Sequence, residues 1–163
     1  VKVAGLAGSG SVEIRCLAAT EPLAPKVVKV PGWPELKFPF STATAEQGML
    51  YLSGMQGIDM KTMKMAPGGV GAETTQTLRN INETVHAAGG VLENVVECEV
   101  SLRSMQDFKE MNAAYASFWP KDPPSRIAVE VGGIVGNATV EIKCIAAGVS
   151  AAAAAEGSER VFV

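Results

Sequence analysis

Pro123-Pro124-Ser125-Arg126-Ile127-Ala128-Val129-Glu130-Val131 is a double proline followed at once by an alternating run, which Gly132-Gly133 closes. Proline cannot continue a helix, because it lacks an N–H and its ring clashes with the preceding turn. The run therefore reads as a strand, with Ile127, Val129 and Val131 at period two on a buried face and Arg126, Ala128 and Glu130 on the other. That reading places a guanidinium at the entrance of a strand, where loop meets sheet, and its planar fork of donors suits a carboxylate. An arginine in such a place is more often a solvated rim charge or a salt-bridge partner than a ligand clamp. A second candidate, the carboxylate of Glu141, lies on the next strand, Ala138 to Ala146.

Upstream, Ala72 to Ala88 reads as a helix, since Leu78, Ile81, Val85 and Ala88 recur at steps of three and four and Gly89-Gly90 ends the pattern. His86 is the single histidine. It lies near the C-terminal end of that helix, where it caps rather than catalyses. Val95 to Leu102 alternates, with Val96, Cys98, Val100 and Leu102 on one side and Glu97, Glu99 and Ser101 on the other, as in a sheet with one wet face. Ser104 and Asp107 form a capping box opening a second helix, Met105 to Phe118, with Phe108, Met111, Tyr115 and Phe118 as its apolar stripe. Nearer the start, Lys26 to Val30 is a short strand, Gly32 to Pro39 a loop, and Phe40 to Ala45 and Met49 to Ser53 flank Glu46-Gln47-Gly48 as a hairpin. Met60, Met63 and Met65 sit in a polar loop without histidine, a setting for gap-filling rather than metal binding. The predicted class is α+β, with two helices on one face of a six-stranded mixed sheet. The other face is left for a second subunit.

The chain has 163 residues, enough for a buried core, and is 47% hydrophobic but only 6% aromatic, so that core has to be aliphatic. A net charge of −3 without a local Lys/Arg cluster argues against a nucleic-acid partner. No apolar run has the length of a membrane span. Cys16, Cys98 and Cys144 are few, far apart and set in apolar runs, and read as buried thiols in a reducing compartment. The location that follows is intracellular: either cytoplasm or an organelle such as a plastid or mitochondrion.

Residues 1–19 lie over 129–147 at a constant offset of 128, with 10 of the 19 positions identical. Residues 1–20 thus read as a truncated repeat of the C-terminal strand pair of a preceding domain, and Val1 in place of Met points to something upstream. Residues 21–25 are a linker, 26–148 the main domain and 149–163 an alanine-rich tail. An isolated hairpin is marginal in water. Val1 to Leu6 and Ser11 to Ala18 are therefore expected to form a β-hairpin on a borrowed sheet, with Glu13 in the place corresponding to Glu141.

Five motifs together resemble the RidA/YjgF family, also described as endoribonuclease L-PSP-like. They are Ser53-Gly54-x-Gln56-Gly57, Pro67-Gly68-Gly69 before Gln76-Thr77-Leu78-x-Asn80-Ile81, Asp107-Phe108-x-x-Met111-Asn112-x-x-Tyr115, Pro124-x-Arg126 and Val140-Glu141-Ile142. The resemblance spans Val27 to Ala147. It implies a chorismate-mutase-like α+β fold, trimeric or pseudo-trimeric, with clefts between subunits, and a hydrolytic deaminase of 2-enamine and 2-imine acids of the 2-aminoacrylate type. On the matching positions, Arg126 would bind the substrate carboxylate, Glu141 would position or activate water, and Ser53, Gly54, Asn112 and Phe40 would line the cleft; Arg126 and Glu141 are expected to approach the same cleft with Ser53 and Gly54 nearby, and Asn112 can come from a neighbouring subunit. Neither cofactor nor metal is implied, because an imine carbon is already electrophilic. The partners implied are a small 2-imino acid and further copies in a homotrimer or tandem-domain assembly. The chain departs from the deaminase pattern at Phe40, where the family has tyrosine, and at Ala128, where many members have cysteine. These departures leave an alternative, a non-catalytic binding or assembly subunit.

Overall fold

The computed structural model describes residues 1–6, 10–18 and 25–150. Gln47 and Gly48 both take positive φ, 48° and 76°, the geometry that lets a two-residue turn match strand twist. They join β2 (Ala43–Glu46) to β3 (Met49–Leu52), the hairpin expected there. With β1 (Lys26–Val28), β6 (Val95–Leu102), β7 (Ser125–Glu130) and β8 (Val140–Ala147) they form a six-stranded sheet in the order β1-β2-β3-β8-β6-β7. β6 and β7 run parallel and the other pairs antiparallel, so the sheet is mixed as predicted. The methionine-bearing loop folds as a small hairpin of its own, β4 (Ile58–Asp59) against β5 (Lys64–Met65).

The helices are α1 (Gly69–Ala87), which starts three residues before the expected Ala72, and α2 (Phe108–Ala116). Leu78, Ile81, Val85 and Ala88 are all buried and pack on Leu50, Val100, Val140 and Ile142 of the sheet. A 3-10 turn, Met105–Asp107, precedes α2, and the Ser104 hydroxyl accepts from the Gln106 amide at 3.2 Å, so the Ser104 half of the expected capping box forms. Met111, Tyr115 and Trp119 of this segment are buried in the core, and Phe108 and Phe118 pack against it partly buried.

Four expectations need correction. In β6 a register irregularity between Val95 and Glu97 turns Val95 inward and leaves Val96 exposed, because a bulge resets the alternation after it. On β7, Ile127 and Val129 are 56% and 47% exposed, on the face away from the helices. The parallel ladder pairs Cys98 with Arg126 and Val100 with Ala128, so core parity passes to Arg126 and Ala128 instead. Cys98 and Cys144 are not free thiols. They face one another across β6 and β8 with Cα atoms 4.2 Å apart and are joined as a disulfide, while Cys16 is free and exposed.

The fourth correction concerns the N-terminal hairpin. Lys2 makes a single bridge to Gly133, with Lys2 N–H donating to Gly133 at 2.8 Å and Gly132 N–H donating to Lys2 at 2.7 Å. Ser11 to Ala18 carry no strand and are exposed, Glu13 among them. Most of the expected turn, residues 7–9, most of the linker, residues 21–24, and most of the tail, residues 151–163, lie outside the described residues.

One close approach ties the helix layer to the segment after β3. A Cβ on Gly57 would lie 2.6 Å from both Cα and the carbonyl oxygen of Glu73 on α1, backbone that cannot step aside. Gly57→Ala is therefore expected to cost about 1–3 kcal/mol, the range for overpacking a tight contact. Urea unfolding of the two proteins measures it, and an unchanged midpoint would contradict the packing.

Candidate functional site

The segment after β3 is built around Glu141. Met55 and Ile142 exchange backbone hydrogen bonds, at 2.8 and 2.9 Å, which lays residues 53–57 along the start of β8. Gly54 then abuts the Glu141 side chain so closely that a Cβ would come 2.6 Å from Oε1. Gln56 Nε2 donates to Glu141 Oε2 and to the Val135 carbonyl, each at 3.0 Å. One carboxylate oxygen is thereby held by an amide, and the other lies against a glycine. The backbone of this loop is held in turn by Asn80, whose Nδ2 donates to the carbonyls of Gln56 and Ile58 at 3.1 and 2.8 Å. Gln76 Nε2 donates to Asn80 Oδ1 at 2.9 Å, which sets the amide's orientation.

Ser53 is fixed at the same place, its N–H donating to Thr42 at 2.9 Å and its hydroxyl to the Ser41 carbonyl at 2.7 Å. The hydroxyl oxygen keeps its lone pairs for a ligand donor. Phe40 stacks on Phe38 with ring centroids 5.7 Å apart, and both rings are exposed. Ser53, Gly54, Gln56, Phe40 and Glu141 all line a cavity of about 630 Å³. An adjoining groove shares Phe38, Phe40, Ser53 and Gly54 and continues over Thr44, Tyr51 and Lys143. Sequence reasoning did not single out Gln56 as a site residue, although it stands inside the quoted Ser-Gly-x-Gln-Gly motif.

Arg126 belongs to a different neighbourhood. Its Nη2 donates to Asn112 Oδ1 at 2.7 Å, and its guanidinium carbon stands 4.5 Å from the Tyr115 ring centroid and 5.8 Å from that of Phe108. Asn112, Tyr115 and Phe108 are all on α2, so the guanidinium is presented from the helix side at the β7 edge. Glu141 has the opposite parity, because its neighbours Val140 and Ile142 are fully buried against the helices. Within one chain Arg126 and Glu141 therefore face opposite sides of the sheet. The site residues fall into two groups, Arg126 with Asn112 and Glu141 with Ser53, Gly54 and Phe40.

Each group has half of a carboxylic-acid chemistry. The first offers a planar cation, oriented by an amide and an aromatic face, suited to a carboxylate. The second offers an oriented carboxylate beside an open glycine, suited to holding a water or moving a proton. Burial pushes the Tyr115 phenol up to about 12, against the opposing pull of the Arg126 charge.

The endoribonuclease L-PSP family model matches residues 34–148. A 2-iminobutanoate/2-iminopropanoate deaminase of Mus musculus is 35% identical over 121 residues, 74% of this chain and 90% of the relative. A RutC family protein of Pyrococcus horikoshii is 36% identical over 108 residues, 66% of this chain and 86% of the relative. In structure, RidA from the Antarctic bacterium Psychrobacter sp. superposes with a TM-score of 0.70 at 30% identity, covering 75% of this chain and 98% of that one. The family match begins at residue 34, and the reading of residues 1–20 as the end of a preceding domain finds no support in it.

The Tyr115 environment makes a pH prediction with a definite sign. The folded state holds the phenol proton to about 12 and the unfolded state loses it near 10, so this contribution is complete below 10 and is lost as pH rises through 12. An absorbance titration of tyrosinate is expected to show a component near 12 that Tyr115→Phe removes. Full ionisation of both tyrosines near 10 in the folded protein would contradict the burial.

Proposed function

Because the chain belongs to the endoribonuclease L-PSP family, also called RidA/YjgF, we propose that it is a hydrolytic deaminase of reactive 2-enamine and 2-imine acids of the 2-aminoacrylate type. The products are 2-oxo acids and ammonia. The observation that carries the reading is the pair of half-sites: a guanidinium oriented for a carboxylate at one sheet edge and an oriented carboxylate beside Gly54 on the other face.

In this reading two copies of the chain complete one site. The helix-free sheet face supports that arrangement, since it leaves Ile127 and Val129 in water in a single copy, an apolar face that association would cover. A homotrimer with clefts between subunits sets Arg126 and Asn112 of one copy against Ser53, Gly54, Phe40 and Glu141 of the next. Arg126 binds the substrate carboxylate as a forked pair. Glu141 takes a proton from water as the water oxygen bonds to the imine carbon, and passes it to the imine nitrogen to give the carbinolamine. Glu141 then takes the carbinolamine hydroxyl proton and delivers it to the amino nitrogen as the carbonyl forms and the C–N bond breaks, so that ammonia leaves and the carboxylate is restored. Positioning and proton transfer suffice for this electrophilic carbon, and Gln56 keeps the carboxylate aimed.

Phe40 has no hydroxyl to offer the substrate, a loss worth roughly 0.5–1.5 kcal/mol where a tyrosine would bond. That absence favours a second reading, a non-catalytic binding or assembly subunit. A ribonuclease reading draws nothing from a chain of net charge −3 without a basic cluster.

Arg126→Ala and Glu141→Gln are each expected to lower kcat/KM for enzymatically generated 2-aminoacrylate by at least about 100-fold. Unfolded together and refolded as mixed oligomers, the two inactive variants are expected to regain activity at roughly a quarter of the sites, those taking arginine from one parent and glutamate from the other. Mixed oligomers that form yet stay inactive would sink the shared site. A native protein that releases no ammonia would favour the assembly role.

A further inference from the structure

The cavity that contains Glu141 is much larger than a small 2-imino acid requires. Its volume of about 630 Å³ falls in the range of pockets that enclose whole ligands, roughly 300–1,000 Å³. Its lining is divided in character. Ser53, Gln56 and Glu141 supply the polar end, and Trp33, Leu36, Phe38, Met60 and Met63 supply an apolar wall. An imine bearing only a methyl group would meet the polar end and leave that wall in contact with water.

The wall is a construction and not a gap between loops. Trp33 Nε1 donates to Glu83 Oε2 on α1 at 2.7 Å, which anchors the loop before β2 to the helix layer. The β4–β5 hairpin carries Met60 and Met63 on its turn, and Asp59 Oδ1 accepts from the amides of Lys61 and Thr62 at 2.8 and 3.1 Å. Those bonds hold the Asp59 carboxyl below its usual range, the Lys61 amide contributing most. Two anchored elements thus bring an indole, a phenyl and two thioethers together beside the carboxylate. Thioethers have three rotatable bonds and adapt to apolar shapes, which suits a wall meeting side chains of more than one form.

Resting on the deaminase reading above, we infer that the 2-imino acids this protein hydrolyses carry a bulky apolar side chain, branched aliphatic, thioether or aromatic. The side chain lies on the Trp33, Leu36, Met60 and Met63 wall while the imine carbon sits at Glu141. The reaction balances as for any imine: water is consumed, the C–N bond breaks, and a 2-oxo acid and ammonia leave. The class of reaction that supplies such a substrate is one that forms the imine of a large apolar amino acid.

Two measurements test this separately from the reaction itself. Equilibrium titration with stable 2-oxo acids is expected to show phenylpyruvate and 4-methyl-2-oxopentanoate binding at least about tenfold more tightly than pyruvate, the least that apolar groups filling a pocket supply. Imines generated by an amino-acid oxidase from phenylalanine, leucine and alanine are expected to show the same ordering in kcat/KM. Met60→Trp, which fills the wall, and Met63→Lys, which charges a half-exposed position, are each expected to reduce the ratio of bulky to small by about fivefold or more, with the oligomer's mass unchanged. Pyruvate binding as well as the larger acids, or a ratio that neither variant moves, would overturn the inference and leave the deaminase reading intact. Tight binding of the larger acids without hydrolysis of any imine would support the pocket and overturn the deaminase reading instead.

Discussion

β6 is hydrogen-bonded antiparallel to β8 and parallel to β7, and the parity of these two ladders decides where each charged group goes. Side chains on neighbouring strands share a face when their residues pair. Cys98 pairs with Cys144 on one side and with Arg126 on the other, so all three look toward the helices. Ser101 pairs with Glu141, which looks away. A one-residue slip in either ladder would put arginine and glutamate on the same face: between β6 and β8 it would turn Glu141 toward Leu78 and Ile81, and between β6 and β7 it would turn Arg126 away from α2. The observed arrangement keeps Glu141 out of the aliphatic core and sets Arg126 at the sheet edge against the rings of α2.

The Glu141 half of the site depends on the loop after β3 being held without flexibility. Three contacts act on it from different directions: the Met55–Ile142 bridge from β8, the Gly57 contact from α1, and the buried Asn80 amide from within the helix layer. Asn80 spends both hydrogens of its amide on the backbone carbonyls of Gln56 and Ile58. An unmade bond of that kind costs about 1–3 kcal/mol, so the amide stabilises the loop as well as shaping it. Gly54 is small because the carboxylate occupies the space its side chain would take.

The same residues explain why the two halves differ in chemistry. Arg126 lies on an edge strand beneath α2, half-buried, with an amide and a ring to orient it. Glu141 lies near the strand start, beside a cavity whose walls come from the loop before β2 and from the β4–β5 hairpin. A sheet edge can be completed from outside, whereas a cavity floor has to be built from within the chain.

Local pattern was enough for the elements themselves. The α1 stripe, the Gln47–Gly48 turn, the proline stop before β7 and the mixed sheet with two helices were all legible, because periodicity and turn chemistry act over a few residues. The family was legible too, through the motifs that carry the resemblance. Which face a strand buries was not. Val95 took the place expected for Val96 through a bulge, and Arg126 took the inward place expected for Ile127 through pairing with Cys98, because inward and outward are set by the neighbouring strand and by the layer covering it. The Cys98–Cys144 bond, separated by 46 residues along the chain, depended on the same register. So did the fate of the repeat at residues 1–19, whose described residues, 1–6 and 10–18, carry no more than the Lys2 bridge, since a copied segment forms a sheet only where a partner strand's hydrogen bonds await it.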